Sequence, residues 1–150
     1  MTTDVYRVRM LEHFRHPRHR GGLEGMNAIG HGTIPLCGDE VEVGIRHGDE
    51  VPFAVRFRGR GCAVCIASAS MMAETLTGGS RERADRLSRA FLEWMLEGGD
   101  AAALGLGAPE LVETFAAVRD TGSRARCAAL PWDALRDALN LTFATHADFR

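Results

Sequence analysis

Two short runs of alternating apolar and polar residues constrain the fold of this chain more than any other feature of its sequence. The apolar positions are Val41, Val43 and Ile45 in the first run, and Phe53, Val55 and Phe57 in the second. A period of two residues is typical of strands that bury one face. A glycine-containing turn at residues 47–50 is predicted to join the runs into an antiparallel hairpin, and a third strand is expected near residues 30–34.

Segments with helical patterns flank this hairpin. Residues 62–76 are rich in Ala, Met and small side chains, so we expect this segment to form a buried helix against the sheet. Further helices are predicted in four places: residues 4–14, residues 80–96, after Pro109, and from Pro131 to about residue 143. An extended loop is expected over residues 16–32. The pattern predicts an α+β fold in one domain, residues 1–150, with a small antiparallel sheet of about three strands packed against several α-helices.

The composition excludes several function classes. All 18 residues counted as Lys or Arg are Arg, so the chain lacks the amine that a Schiff-base enzyme needs and the Lys of a Walker-type phosphate loop. The net charge of −2 argues against nucleic-acid binding, for which a basic surface is typical. The sequence shows no export-signal pattern and no long apolar segment. We therefore expect a cytoplasmic protein that does not bind membranes.

Four cysteines carry most of the functional information: Cys37, Cys62, Cys65 and Cys127. In a reducing compartment, cysteines are more often metal ligands or reactive thiols than disulfide partners. Cys37 lies in a predicted turn, Cys62 at a predicted helix start, and Cys127 in a short polar segment before Pro131. Turns and helix ends lie at the ends of a domain, so these three thiols can converge there. Their spacing is not that of a zinc finger, and each cysteine alone is equally compatible with a small buried apolar residue.

The surroundings of two cysteines favour the thiolate, which is the form that binds metal or attacks sulfur. Cys62 at a helix N-terminus is expected to have a lowered thiol pKa, because the helix dipole favours negative charge there. Arg124 and Arg126 are expected to favour the thiolate of Cys127 by their positive charge. Both thiols should therefore ionise more readily than a free cysteine.

Four sequence blocks near the cysteines and the N-terminus are more specific than spacing. They are Cys37-Gly38-Asp39, Gly61-Cys62-Ala63-Val64, Arg126-Cys127-Ala128-Ala129-Leu130-Pro131-Trp132, and Leu11-Glu12-His13-Phe14 with His16-Pro17-Arg18. In content and order, over residues 6–139, they closely resemble the SufU branch of the SufU/IscU/NifU-N family of iron–sulfur cluster assembly proteins. The chain lacks the L-P-P-V-K segment of IscU and has Arg126 where IscU has His, and both differences favour the SufU branch.

The resemblance implies a SufU/IscU-like fold and a zinc site. By their positions in the matching blocks, the implied ligands are Cys37, Asp39, Cys62 and Cys127, and an iron–sulfur cluster is the alternative cofactor. Three thiolates and one carboxylate suit the tetrahedral coordination of zinc. Arg126, beside the last ligand, is expected to offset part of their negative charge.

The resemblance also implies how the protein acts. A SufS-type, PLP-dependent cysteine desulfurase docks, one of its His residues replaces a Cys at the zinc, and the freed Cys37 accepts the persulfide sulfur. The protein then passes this sulfur to the SufBCD scaffold, and it activates the desulfurase rather than working as a stand-alone enzyme. Two alternatives stay open: a scaffold on which an iron–sulfur cluster is assembled and transferred, and a structural zinc-binding domain.

Other residues with metal-binding or charged side chains are expected to lie outside the ligand set. Cys65 stands where relatives have Ser or a small residue, and we expect a thiol packed beside the site rather than a ligand or a disulfide partner. If it replaced Asp39, the site would become Cys₄. The histidines at positions 13, 16, 19, 31, 47 and 146 are expected at the surface or in loops rather than at the metal, and helix packing accounts for His13. Arg56, Arg58 and Arg60 predict a solvated strand face suited to an acidic partner.

Overall fold

The computed structural model describes residues 2–48 and 51–147 and confirms the predicted α+β fold. The strands are β1 (Ala28–Ile34), β2 (Asp39–Gly48) and β3 (Val51–Arg60), and the helices are α1 (Thr2–Arg15), α2 (Ala63–Leu76), α3 (Arg81–Glu97), α4 (Pro109–Phe115) and α5 (Gly122–Ala147), with a short 3₁₀ helix over Ala116–Asp120. The strands form one antiparallel sheet in the order β1-β2-β3. Within the described ranges, no helix is both long and apolar enough to cross a membrane.

The predicted hairpin forms with its two apolar runs in register. Val43 of β2 lies opposite Phe57 of β3, and Ile45 lies opposite Val55. All six apolar positions of the runs are buried, none more than 5% exposed. They form the face of the sheet that is covered by helices, with α2 against β3 and α5 against β1 and β2. Asp49 and Glu50 of the predicted turn lie outside the described residues.

Strand β1 begins earlier than expected, so the predicted loop over residues 16–32 is wrong from Ala28 onward. Gly30 and Gly32 of this strand lie against α5, and a Cβ on Gly30 would overlap the backbone of Ala134 and Ala138. Contact this close between strand and helix needs glycine, because a side chain would push the two elements apart. The glycines that suggest a loop in the sequence are therefore the positions at which strand β1 packs against α5.

Helix α5 also differs from the prediction, because it begins at Gly122 and contains Pro131 in its interior. Proline has no N–H to donate to the carbonyl of Cys127, four residues earlier, and normally favours a helix start. Here the segment before it is buried as well, and the hydroxyl of Ser68 donates to the Ala128 carbonyl at 2.6 Å. Tertiary contacts thus keep the helix continuous through the proline, and they place Cys127 on a helix rather than in a loop.

Aromatic packing fixes the position of α5. The ring of Phe91 in α3 stacks on Trp132 of α5 with the centroids 4.3 Å apart, and it meets Phe115 edge-on at 6.2 Å. The indole N–H of Trp132 donates to the hydroxyl of Ser68 in α2 at 3.1 Å. Through these contacts α2, α3 and α5 form one core, and the helix that carries Cys127 is held against the helix that begins next to Cys62.

Candidate functional site

Three of the four predicted metal ligands converge at the start of α2. Asp39 is the first residue of β2, Cys62 is the N-cap of α2, and Cys127 lies in α5. One ligand atom from each of the three lies within 4.8 Å of the others. Ligands around a tetrahedral ion with metal–sulfur bonds of ~2.3 Å are about 3.8 Å apart. The three side chains are thus close to the spacing that a shared metal ion requires.

A glycine pair at the end of β3 makes this convergence possible. Gly59 has a φ of +137°, and a Cβ on it would overlap the carbonyl oxygen of Glu40 on the neighbouring strand. A Cβ on Gly61 would lie 3.3 Å from Cγ of Asp39 and 3.0 Å from Sγ of Cys65. The Gly-x-Gly sequence therefore lets the chain leave the sheet and enter α2 in direct contact with the Asp39 carboxylate.

The carboxylate of Asp39 is buried and only partly hydrogen-bonded. The residue is 3% exposed, and its Oδ1 accepts the backbone N–H of Cys62 at 3.3 Å. Its Oδ2 has no hydrogen-bond partner among the residues that the structure describes. A buried carboxylate oxygen without a partner is costly in free energy, and a cation would remove this cost. Two thiols beside such an oxygen fit zinc, which accepts both sulfur and carboxylate ligands.

Burial dominates the ionisation of Cys127. It raises the pKa of this thiol well above its usual range, and the nearby Cys62 and Asp39 raise it further. The thiol of Cys127 is therefore not more readily ionised than a free cysteine, contrary to expectation; Arg124 and Arg126 are both exposed and are not among the main causes of the shift. A divalent cation would supply the positive charge that the two arginines do not.

Cys37 is not part of the group whose ligand atoms lie within 4.8 Å of one another. It is exposed in the turn between β1 and β2, where its N–H and that of Gly38 donate to the Ile34 carbonyl at 3.1 and 3.0 Å. Gly38 has a φ of +74°, which a residue with a side chain would rarely adopt. Leu36, next to Cys37, is 98% exposed. The role of Cys37 as fourth ligand and sulfur acceptor stays a prediction.

Two further residues singled out in the sequence lie beside the site. Cys65 is fully buried in the first turn of α2, and burial, followed by the charges of Asp39 and Cys62, raises its pKa well above the usual range. Arg126 is exposed on α5. Its role in offsetting the charge of the ligands stays a prediction.

His13 of α1 is buried against α2, which agrees with a role in helix packing rather than with an exposed position. It is 5% exposed, and its Nδ1 lies 2.7 Å from the hydroxyl of Ser70, which also accepts the N–H of Arg18 at 2.8 Å. Burial, with a smaller effect from Arg18, lowers the pKa of His13. Ser70 follows Cys62 by about 12 Å along α2, so this cluster is separate from the three converging ligands. In the sequence, the small residues of α2 are the feature that indicates room for the His13 ring.

The remaining histidines and the arginine strip agree with expectation where the structure describes them. His16, His19 and His31 are exposed, His47 is half-buried in β2, and the side chain of His146 lies outside the description. Arg56, Arg58 and Arg60 are exposed on β3. Two of them pair with acidic residues of β2, Arg58 with Glu42 at 2.7 Å and Arg60 with Glu40 at 3.4 Å. This face of the sheet is thus of mixed charge rather than purely basic.

Comparisons with known proteins extend over nearly the whole chain. The family model of the NifU-like N-terminal domain matches residues 5–144. The iron–sulfur cluster assembly scaffold protein IscU of Streptococcus pyogenes serotype M1 is 31% identical, with 90% of this chain and 82% of that protein aligned. The zinc-dependent sulfurtransferase SufU of Bacillus subtilis is 29% identical, over 87% of this chain and 86% of that protein.

A solved structure shares the architecture. It is an iron–sulfur cluster assembly scaffold protein for the SUF system from Fervidobacterium islandicum, with 26% sequence identity and a TM-score of 0.73. The match covers 87% of this chain and 93% of that one. It confirms the predicted arrangement of sheet and helices.

Proposed function

The chain belongs to the NifU-like N-terminal domain family, and we propose that it acts in iron–sulfur cluster assembly as a zinc-bound sulfur acceptor. In this role it takes persulfide sulfur from a SufS-type cysteine desulfurase and passes it to a SufBCD scaffold. The observation that carries the proposal is the convergence of Asp39, Cys62 and Cys127 around a buried carboxylate oxygen that has no partner in the described chain. The 29% identity to a relative named a zinc-dependent sulfurtransferase supports zinc as the cofactor.

Each residue of the site has a defined part in this proposal. Asp39, Cys62 and Cys127 hold the metal, and Cys37 completes the set when its turn closes over them. Bound zinc supplies positive charge that keeps thiols ionised at neutral pH. Because Cys127 is buried and its pKa is raised, it depends most on that charge. Arg126, the exposed neighbour of Cys127 in the sequence, is assigned to offset part of the negative charge that remains once the metal is bound.

The exposure of Cys37 suits a sulfur acceptor. The rate of attack on a persulfide depends on the fraction of thiolate and on its accessibility to the partner. The neighbouring Leu36, which is 98% exposed, offers an apolar contact for a docking protein. All four cysteines are free thiols, as this chemistry requires, and we place the protein in the reducing cytoplasm for that reason.

A cluster scaffold is the second candidate function. It is favoured by the 31% identity to a relative named IscU scaffold protein, and by the fact that thiolates bind iron as well as zinc. Arg126 favours the acceptor function, because it stands where IscU has His. Metal analysis of the purified protein distinguishes the two functions. A colourless sample that contains zinc supports the acceptor, and a brown sample that contains iron and acid-labile sulfide supports the scaffold.

The deciding experiment measures sulfur transfer directly. The protein is added to a matching cysteine desulfurase with cysteine and reductant, and alanine and sulfide are followed. We expect strong stimulation by the wild type and none by Cys37→Ala. Thr33→Ala, an exposed substitution in the adjoining strand β1, should retain the stimulation. Full stimulation by a folded, zinc-loaded Cys37→Ala protein would contradict the acceptor role and leave a structural zinc domain.

A further inference from the structure

Helix α2 is the element to which all three converging ligands are connected. Cys62 is its N-cap, and the backbone N–H of Cys62 donates to Oδ1 of Asp39 at 3.3 Å. Cys127 is carried by a different helix, α5. There the hydroxyl of Ser68 in α2 donates to the carbonyl of Ala128, the residue after Cys127, at 2.6 Å. One side-chain hydrogen bond thus ties the backbone next to the third ligand to the helix that positions the other two.

Pro131 removes the backbone constraint that would otherwise act on Cys127. In a regular helix each carbonyl accepts the N–H of the residue four positions later, so the Cys127 carbonyl would accept from residue 131. Proline has no N–H, and its ring crowds that carbonyl. Helix α5 is therefore least constrained by its own backbone at the residue whose thiol faces Asp39 and Cys62. The next carbonyl, that of Ala128, is the one that α2 bonds.

The Ser68 hydroxyl is itself fixed in direction. It is 0% exposed, and it accepts the indole N–H of Trp132 at 3.1 Å while it donates to Ala128. An indole N–H can only donate and a carbonyl can only accept, so the roles of the hydroxyl hydrogen and lone pair are determined. The Trp132 ring is stacked on Phe91 of α3. Ser68 therefore bonds α5 on both sides of Pro131 from a rigid position in the core.

We propose that Ser68 is a positioning residue of the metal site, which holds Cys127 in place where Pro131 removes the backbone constraint. The inference rests on the proposed function for the identity of the site. The three ligand atoms lie within 4.8 Å of one another without an ion, so the contribution of Ser68 is to keep this spacing before the metal binds. Groups that orient metal ligands without touching the metal typically change its affinity by about 10–100-fold when they are removed.

The test measures zinc affinity of the isolated protein by competition with a chelator, at a temperature where circular dichroism shows the metal-free protein folded. We expect Ser68→Ala to bind zinc about tenfold more weakly than the wild type, or weaker still. Ser88→Ala is the matched control, because Ser88 is also 0% exposed and its hydroxyl donates to a carbonyl, that of Asp85, at 3.0 Å in α3. It should keep wild-type affinity. Unchanged affinity in Ser68→Ala, or an equal loss in Ser88→Ala, would overturn the inference.

A second comparison separates positioning from a merely structural role. Pro131→Ala supplies the N–H that the Cys127 carbonyl lacks, so the backbone of α5 should then hold Cys127 by itself. In this background the further substitution Ser68→Ala should weaken zinc binding by only about threefold or less, because the two constraints replace one another. An equal loss of affinity with and without Pro131 would show that Ser68 does not compensate for the proline, and the inference would fail.

Two further variants guard against misfolding. Ser68→Ala leaves the Trp132 indole N–H without its buried partner, whereas Ser68→Ala with Trp132→Phe removes donor and acceptor together. This pair replaces the single variant if the latter does not fold, and Trp132→Phe alone, which keeps the bond to Ala128, should bind zinc as the wild type does. Failure of the proposed function has its own readout, desulfurase stimulation that survives Cys37→Ala. A wild-type protein that binds no zinc would overturn both.

Discussion

Two buried polar clusters lie on helix α2, and they differ in whether the protein satisfies their hydrogen bonds itself. In the cluster of His13 and Ser70, the serine hydroxyl accepts the N–H of Arg18 and also hydrogen-bonds Nδ1 of the histidine. The other ring nitrogen lies 3.8 Å from the Glu74 carboxylate. This arrangement leaves its polar atoms paired, and its effect is to hold α1 against α2.

The cluster at the other end of α2 is incomplete. Asp39 has one carboxylate oxygen bonded to the Cys62 N–H and one with no partner in the described chain, and the buried thiol of Cys127 faces it. Buried polar groups are normally satisfied within the protein, so an exception marks a place where a ligand supplies the missing interaction. The comparison teaches that the paired cluster supports the fold, whereas the unpaired cluster has the features of a candidate metal site.

Removal of the metal is expected to have the largest effect on stability of the changes considered, and it tests the difference between the two clusters. When free zinc exceeds its dissociation constant a thousandfold, binding stabilises the fold by ~4 kcal/mol, which corresponds to a fall of roughly 10 °C in Tm on chelation. Thermal unfolding with and without chelator measures the effect. Cys127→Ser should unfold at the same temperature under both conditions. A wild-type protein that is indifferent to chelator would show that the cluster binds no metal.

Ser70→Ala tests the paired cluster. The substitution leaves the ring nitrogen of His13 and the N–H of Arg18 without a buried partner, and each such loss costs about 1–3 kcal/mol. We expect the free energy of unfolding to fall by ~2 kcal/mol in urea, with zinc content unchanged. Ser80→Ala, at the exposed N-cap of α3, serves as the comparison for loss of a hydroxyl and should cost ~1 kcal/mol. Loss of zinc from Ser70→Ala would mean that the two clusters are coupled.

Asp39→Asn should have opposite effects on stability and on binding. The substitution removes a buried charge and retains an oxygen that accepts the Cys62 N–H, so the metal-free protein should gain ~1 kcal/mol of stability. Zinc affinity should fall at least tenfold, because an amide is a poorer ligand than a carboxylate. Glu40→Gln, the next residue but exposed, should change neither quantity. A destabilised metal-free Asp39→Asn protein would show that the carboxylate is satisfied in a way that these contacts do not reveal.

The sequence predicted the elements with strong local patterns. The hairpin followed from alternation, the buried α2 from its small residues, and the convergence of Asp39, Cys62 and Cys127 from motif positions and from the resemblance. The hairpin and α2 depend on residues close together in the chain, and the converging residues lie in sequence motifs typical of the family. The same reasoning placed Cys37 and Asp39 in one ligand set; in the structure Cys37 is exposed and Asp39 is buried.

The features that the sequence did not predict depend on contacts between distant segments. Helix α5 continues through Pro131 because Ser68, in another helix, bonds the Ala128 carbonyl. Strand β1 includes its glycines because α5 packs directly on them. In each case the local preference of the sequence was outweighed by a contact with a distant segment of the chain.

The last predicted effect is an acid sensitivity to which the paired cluster contributes through His13. Burial lowers the pKa of His13, with Arg18 adding to this effect and Glu74 opposing it. The unfolded chain therefore binds more protons than the folded protein as the pH falls below about 6.5. The stability that neutral His13 provides is complete above that pH. It is lost by ~1.4 kcal/mol for each pH unit until the lowered pKa of the folded state is passed.

Urea unfolding of the chelated protein between pH 7 and pH 5 measures this loss without the contribution of metal-bound thiols. His13→Gln cannot titrate, so its free energy of unfolding should depend less on pH than that of the wild type. His16→Gln, an exposed histidine three residues later, should keep the wild-type dependence. An equal slope for His13→Gln and the wild type would assign the acid sensitivity to other groups.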